Sequence, residues 1–193
     1  MMPGFSPYTD DGFDVWRNRL ASLPPTGLRV RRAKQTDRDA QIMRWIQAEC
    51  EELFIQSVTE NARQIAKRLV FLAEVDDCPV GLCVASVGRY NSEHLFIQRV
   101  GVVPPARRRG AGIALLSAAA DEVPGMNIAG ATAAGDEPTH ALNRKLASHL
   151  GGDVRNLRRG AFAPTDLGIV RGEPHIPWVI DRPAGGAVGG SAR

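Results

Sequence analysis

The chain has 193 residues, 44% of them hydrophobic, and a formal net charge of +3, which suits one globular domain with tails and does not by itself point to a nucleic-acid partner. No apolar run approaches the ~18 residues of a membrane span, and the start, Met1-Met2-Pro3-Gly4-Phe5-Ser6, lacks the basic and apolar parts of a secretory leader. Cys50, Cys78 and Cys83 cannot all pair with one another and have no metal-ligand spacing, so no metal is expected and a reducing cytoplasm is the simplest setting.

Residues 1–26 are punctuated by proline and glycine. Within them, 13–20 is amphipathic, and Trp16 and Leu20 lie one helical turn apart, so this stretch is expected to pack on the domain. An alternating segment at 28–33 predicts the first strand. Thr36-Asp37 opens a helix running to Cys50 or Phe54, with Ile42, Trp45, Ile46 and Glu49 at helical spacing. A second helix is expected over 60–69, capped by Thr59, with Ala62, Ile65, Ala66 and Leu69 as its apolar stripe. Strands follow at 70–75 and 79–89, joined by a turn at Asp76-Asp77-Cys78. A fourth strand at 95–103 leads into a helix over 110–122, and a fifth strand is expected at 126–133. A helix then runs from Thr139, with Asp136 or Glu137 favouring its dipole, to Leu150, and Gly151-Gly152 closes it. Strand-like pieces at 154–159 and 161–162 and a segment of unassigned type at 168–180 complete the core. The Gly- and Ala-rich end cannot bury enough apolar area to offset its entropy. The expected organisation is an extension at 1–27, one domain at 28–180 and a disordered tail at 181–193.

The segment Val102-Val103-Pro104-Pro105-Ala106-Arg107-Arg108-Arg109-Gly110-Ala111-Gly112 carries the most chemistry. A strand runs into a proline turn, then arginines, two glycines and a helix. Unpaired N–H groups and the helix dipole favour an anion there, and glycine lets the backbone come close to it. A dinucleotide fingerprint requires a third small residue where Leu115 stands, and no Gly-Lys-Ser/Thr string is present for a P-loop.

This order of strand, proline turn, Arg107-x-x-Gly110-x-Gly112 and helix resembles motif A of the GNAT acyltransferase superfamily. The likeness is sharp over 95–120 and topological over 28–165. It implies an α+β fold (an α/β sandwich), with a mixed, mostly antiparallel sheet, helices on both faces and a splayed parallel pair formed by the fourth and fifth strands. It implies acetyl-CoA, or another acyl-CoA, as cofactor. The pyrophosphate is then expected over the amides of Arg108, Arg109, Gly110, Ala111 and Gly112, with Arg107 as the motif residue and charge-assisted contacts from Arg108 or Arg109. Backbone amides around Val100, Gly101 and Val102 would face the thioester. His140, Thr139 and Asn143 of the last long helix are further candidates for coenzyme contact.

An ammonium acceptor has to lose a proton. Counting back by twos from Val102 puts Val100, Gln98, Phe96 and His94 on one strand face. The resemblance leads one to look for a carboxylate or imidazole where Phe96 and Gln98 stand, which leaves His94 as candidate base, against the alternative of a structural edge histidine. Glu49, Glu51 and Glu52 end the first long helix; Glu49 and Glu52 are candidates to hold the amine or relay its proton, against the alternative of a solvated acidic face. The family's tyrosine acid corresponds to Ala147 here, so Ser148 or His149 would have to replace it, or no acid is needed.

The function expected is therefore N-acyl transfer from acetyl-CoA to a primary amine of a small molecule or a protein, with a homodimer as one arrangement left open and no membrane contact expected. Two alternatives stand beside it. Lys34, Lys67 and Lys145 are the only lysines among 24 basic residues, and that arginine surplus with the missing tyrosine would fit an enzyme that modifies a nucleic-acid base. The same missing tyrosine would fit an inactive coenzyme-binding module.

Overall fold

The computed structural model describes residues 11–88, 93–169 and 174–183. The elements run α1 (Asp11–Leu20), β1 (Leu28–Arg32), α2 (Asp37–Glu49), α3 (Val58–Lys67), β2 (Leu69–Val75), β3 (Cys78–Val87), β4 (His94–Val102), α4 (Ala111–Asp121), β5 (Asn127–Ala133), α5 (Glu137–His149), β6 (Val154–Asn156), α6 (Pro164–Leu167) and β7 (His175–Ile180). The strands form one sheet in the order β1-β2-β3-β4-β5-β7-β6. Its β4–β5 pair is parallel, and the α4 segment supplies the crossover that parallel neighbours need. The fold is thus α+β with a mixed, mostly antiparallel sheet.

By contacts the chain divides into two compact units, Met1–Ser86 with Ile97–Ala119 and Val87–Phe96 with Ala120–Arg193. In the first, β1 pairs with β2 and β2 with β3, all antiparallel. The β2–β3 turn is Asp76-Asp77, with φ of 50° and 57°, the left-handed pair that a two-residue hairpin requires. Cys78, expected in that turn, is the first residue of β3 and pairs with Val75. The helix expected over 13–20 forms as α1 and buries Phe13, Trp16 and Leu20. Trp16 stacks on Trp45 and donates its indole N–H to the Pro79 carbonyl at 2.8 Å.

Thr36 caps α2 by accepting from the Asp39 amide, and the helix stops at Glu49. Asp39 is buried and held by Arg31 at 2.7 Å, while Arg31 also reaches Glu74 at 2.8 Å. Burial alone would raise the Asp39 carboxyl, but Arg31 and the Lys34 amide outweigh it and hold the group below its ordinary value. The cap of α3 is Ser57, in a reciprocal capping box with Glu60, and not Thr59. Thr59 lies two residues too late, because the reciprocal Ser57–Glu60 bonds satisfy two backbone donors together. The expected apolar stripe fails at Ala66, which is exposed, while the polar Asn61 is fully buried. Its amide lies between Gln47 and the Ala40 carbonyl, so α2 and α3 meet through a buried hydrogen-bonded amide pair instead of apolar surface alone.

In the second unit, β7 runs antiparallel to both β5 and β6. Gly130 leaves room for Trp178, whose ring would lie 2.5 Å from a Cβ there. Helix α5 starts at Glu137, ahead of Thr139, because Asp136 is the cap and its side chain accepts from the Thr139 amide. Gly151, at φ 74°, follows the helix end. Of the strand expected at 154–159 only Val154–Asn156 forms, 161–162 is not a strand, and 168–180 contains β7. Pro164 opens the short helix α6 just after 161–162, and a proline at N1 suits a helix start. Of the expected tail, 184–193 lie outside the described residues.

Candidate functional site

Strand β4 ends at Val102, and a 3-10 turn at Pro104–Ala106 redirects the chain. Arg108 then takes φ 62° and Gly110 φ 85°. These two left-handed residues bend the backbone into a concave turn before α4, the kind of geometry that gathers N–H groups around an anion. The first helical bond is made by the Ala114 amide to Gly110 O at 3.0 Å. Among the described residues, the amides of 108–113 have no hydrogen-bond acceptor. Nothing lies within 4 Å of a Cβ built on Gly110, so there is open space on that side of the turn. Arg108 to Gly112, the residues expected to cradle a pyrophosphate, lie in this turn.

The arginines do different things. Arg107 Nε donates to the Val102 carbonyl at 3.0 Å, and its Nη2 reaches both Glu52 oxygens at 3.1 and 3.2 Å. Arg109 donates to the Pro24 carbonyl at 2.7 Å, fixing the segment after α1. Arg108 is exposed and makes no hydrogen bond or ion pair among the described residues, which leaves it as the guanidinium available to a ligand. The sequence could not assign these roles, since three consecutive arginines look alike until the backbone is folded.

Glu52 is therefore paired to Arg107, and Glu49 is paired to Arg17 of α1 at 2.9 Å. Glu51 is exposed. Cys50 lies beneath this region; burial pushes its thiol up to about 12, against the lowering effect of Arg107, so it stays protonated near neutral pH. The segment after α2 is held by groups that periodicity does not reveal. The Gln56 amide donates to Gln47 Oε1 at 3.0 Å, and the Arg99 guanidinium of β4 donates to the Gln56 side chain. Leu53 packs where a Cβ on Gly101 would fall, at 2.5 Å. Val100, Gly101 and Val102 are partly exposed.

In the second unit, the His94 ring packs against Phe96 (centroids 6.0 Å apart) and edge-on to Phe162 (5.2 Å). Phe96 and Phe162 are themselves T-shaped at 5.0 Å. His94 and Phe96 thus share a strand face, as counting by twos requires. Burial lowers the His94 pKa below its ordinary 6.5, and Glu93 and Asp181 only partly oppose this, so the imidazole is neutral at pH 7 and able to accept a proton. Phe96, Ala129 and Leu167 form a buried apolar floor with Phe162 and Ile169 against it. Beside it opens a hollow of about 200 Å³ lined by Phe162, Pro164, Leu167, Ile169 and Pro177, with Arg159, Gly160 and His175 completing the wall.

The α5 candidates have structural partners. Asn143 is buried and donates to Thr132 Oγ1 at 3.2 Å, which also accepts from the Trp178 indole at 2.9 Å. His140 Nε2 sits 3.1 Å from the Ala133 carbonyl. Ala147 is buried, and Ser148 donates its hydroxyl to the Arg144 carbonyl of its own helix. No cluster of residues suited to a metal and no helix long and apolar enough to cross a membrane occurs among the described residues.

Comparison with known proteins bears on the family and the fold. The family described as "Acetyltransferase (GNAT) family" matches residues 39–148. No curated protein matches in sequence. Among solved structures, the diaminobutyrate acetyltransferase EctA from Paenibacillus lautus, in complex with L-2,4-diaminobutyric acid and coenzyme A, is similar with a TM-score of 0.64 at 18% identity, over 81% of this chain and 95% of that one. The ribosomal-protein-S18-alanine N-acetyltransferase from Escherichia coli gives a TM-score of 0.58 at 19% identity, over 83% and 98%. The protein yncA from Salmonella typhimurium, solved with its cofactor acetyl-CoA, gives 0.54 at 14%, over 80% and 92%. At these identities the structural likeness speaks for the fold.

Proposed function

Because the chain belongs to the GNAT acetyltransferase family, we propose that it transfers the acetyl group of acetyl-CoA to a primary amine of a small molecule or a protein, with residues 28–180 carrying the transferase. The observation that carries this reading is the run of amides at 108–113 that make no hydrogen bond among the described residues, around a Gly110 with open space beside it. A diphosphate supplies the oxygens those donors lack, and Arg108 adds a cation that pairs with no group among the described residues. The cofactor fits this chain's residues on that ground, and acetyl-CoA bound in the yncA structure supports the choice. When bound, it supplies an activated acetyl thioester.

The protein's own contribution is largely positioning. Arg107 fixes the carbonyl at the end of β4, and amides near Val100 and Val102 are the donors we assign to the thioester oxygen. His94 accepts the ammonium proton in this reading, since the carboxylates of Glu49 and Glu52 are already committed to Arg17 and Arg107. The acceptor nitrogen, having given one proton to His94, bonds to the acetyl carbon as the carbon–sulfur bond breaks and the sulfur keeps the electron pair, and the nitrogen's second proton passes to water, which can return it to the sulfur. With Ala147 at the tyrosine position and Ser148 bonded to its own helix, the thiolate leaves without a side-chain acid. Its modest basicity permits this, because a thiol near pKa ~8.5 is a tolerable leaving group at neutral pH.

Calorimetric titration with acetyl-CoA tests the reading. Binding that disappears in the Gly110→Glu variant supports it, and no binding to the folded wild-type chain overturns it.

A further inference from the structure

The hollow in the second unit has one chemical property that the phosphate turn does not explain. Its wall is apolar, and its charged group is a cation. Phe162, Leu167 and Ile169 supply the apolar surface, and Arg159 stands beside them without a hydrogen bond or ion pair among the described residues. No aspartate or glutamate lines it. A polycationic acceptor would therefore find no counter-charge there. An apolar body bearing an anionic group would find both a surface and a partner, because Arg pairs with carboxylates through its planar fork of donors.

The size narrows the class. A cavity of ~150 Å³ accommodates a benzene ring, and this hollow, which is open to solvent, is about 200 Å³. Phe162 presents one side to the hollow and meets His94 edge-on. The group proposed to take the proton is therefore one aromatic contact away from the surface that would hold the acceptor's body.

We propose that this hollow selects the acceptor: an amine with an aromatic or comparably bulky apolar side group and a carboxylate, the ring against Phe162 and Leu167 and the carboxylate on Arg159. The inference rests on the acetyl-transfer reading above.

The test uses the full chain with acetyl-CoA and reads thiol release. Four amines serve as probes: L-phenylalanine, its amide, phenethylamine and putrescine. The expected order puts L-phenylalanine at least tenfold above the other three in kcat/KM. Arg159→Ala brings phenylalanine down to the level of its amide without lowering phenethylamine, and Phe162→Ala raises KM for all the aromatic amines while leaving acetyl-CoA affinity unchanged. A second arm does not require turnover. Phenylacetate, a ring and carboxylate without an amine, should show saturation-transfer contacts with the acetyl-CoA-bound chain that Arg159→Ala removes. A preference for putrescine, an equal loss for phenylalanine and phenethylamine in Arg159→Ala, or an absence of phenylacetate contacts overturns the acceptor assignment. Loss of acetyl-CoA binding by the wild-type chain is a separate result and overturns the reading beneath it. Faster release with a bulky acyl-CoA, abolished by Phe162→Ala, would assign the hollow to the acyl group and overturn the proposal as well.

Discussion

The turn at 107–113 offers a ligand its backbone, whereas the hollow beside Phe162 offers side chains, and the two should answer differently to substitution. In the turn, the donors are mostly main-chain amides; residue type matters at Gly110, through its φ of 85° and the open space at its Cβ position, and at Arg108, through its exposed guanidinium. Side-chain changes there leave the amides in place. In the hollow, Phe162 and Leu167 supply apolar surface and Arg159 supplies the cation, all through side chains. A backbone-built site is conserved in geometry and indifferent to much of its sequence; a side-chain-built site carries selectivity and is retuned one residue at a time.

The sharpest way to break this contrast is Gly110→Glu. A carboxylate placed among anion-binding amides, on a residue forced to positive φ, should abolish measurable acetyl-CoA binding, a loss of roughly 100-fold or more for charge-assisted contacts replaced by repulsion. The fold should survive, because a left-handed non-glycine residue costs only about 1–2 kcal/mol and no atom lies in the way. Gly110→Ala is the control: the same backbone strain without charge should weaken binding far less. Equal losses in the two variants, read by calorimetry, would mean that strain and not charge sets the affinity.

On the hollow's side the matching change is His94→Gln. Removing a general base lowers kcat by roughly 100-fold to 10,000-fold, while acetyl-CoA affinity should hold. The pH dependence gives the sign. Burial depresses the His94 pKa below 6.5, so the imidazole is neutral above that range and gains a proton only as pH falls through its lowered value. The wild-type rate should therefore be level with respect to His94 above pH 6.5 and fall on the acid side, and His94→Gln should lose that acid limb. A variant that keeps both the rate and the limb removes His94 from the chemistry.

A smaller effect separates scaffold from site. Asp39→Asn takes away the carboxylate that Arg31 and the Lys34 amide hold, and charged hydrogen bonds of this kind contribute about 1.5–3 kcal/mol each. Because the folded-state pKa lies below the ordinary 3.8, the stabilisation is fully present above that ordinary value and is lost as pH falls through the lower one. Denaturant melts should show the variant less stable at pH 7 and the gap closing toward pH 2. Coenzyme affinity of the folded molecules should not change; if it does, the turn depends on more than its own backbone and the contrast weakens.

The same difference explains what could be read before the chain was folded. The turn was legible because strand, proline, glycines and apolar helix are adjacent in sequence, and an amide needs no side chain to announce it. The elements around it were legible for the same local reason, Trp16 on Leu20's helix face and Asp76-Asp77 in the hairpin among them. The hollow was not: Phe96, Ala129, Phe162 and Leu167 come from distant segments, and 161–162 reads as a strand when taken alone. Polar groups buried through long-range bonds misled periodicity in the same way. Asn61 sits on the face where Ala66 was expected, because its partner Gln47 is on another helix. Arg107, Arg108 and Arg109 show the limit most plainly, since three identical residues acquire three roles only from where Glu52, the solvent and Pro24 lie.

The smallest expected effect tests the one place where the turn leans on a side-chain pair. Glu52→Gln breaks the ion pair with Arg107, both partners of which are well exposed, at 64% and 45%. Exposed pairs contribute about 0–1 kcal/mol, so the melting temperature should shift by no more than about 4 °C in a chain of this size. Arg107 Nε keeps its bond to the Val102 carbonyl without Glu52, and the amides of 108–113 are untouched. Acetyl-CoA affinity should therefore stay the same, or rise slightly as a nearby negative charge disappears from the approach of a polyanion. A tenfold loss of affinity in Glu52→Gln would show that the carboxylate, through Arg107, holds the turn in its binding shape. In that case the distinction between a site made of backbone and one made of side chains would fail at its first residue.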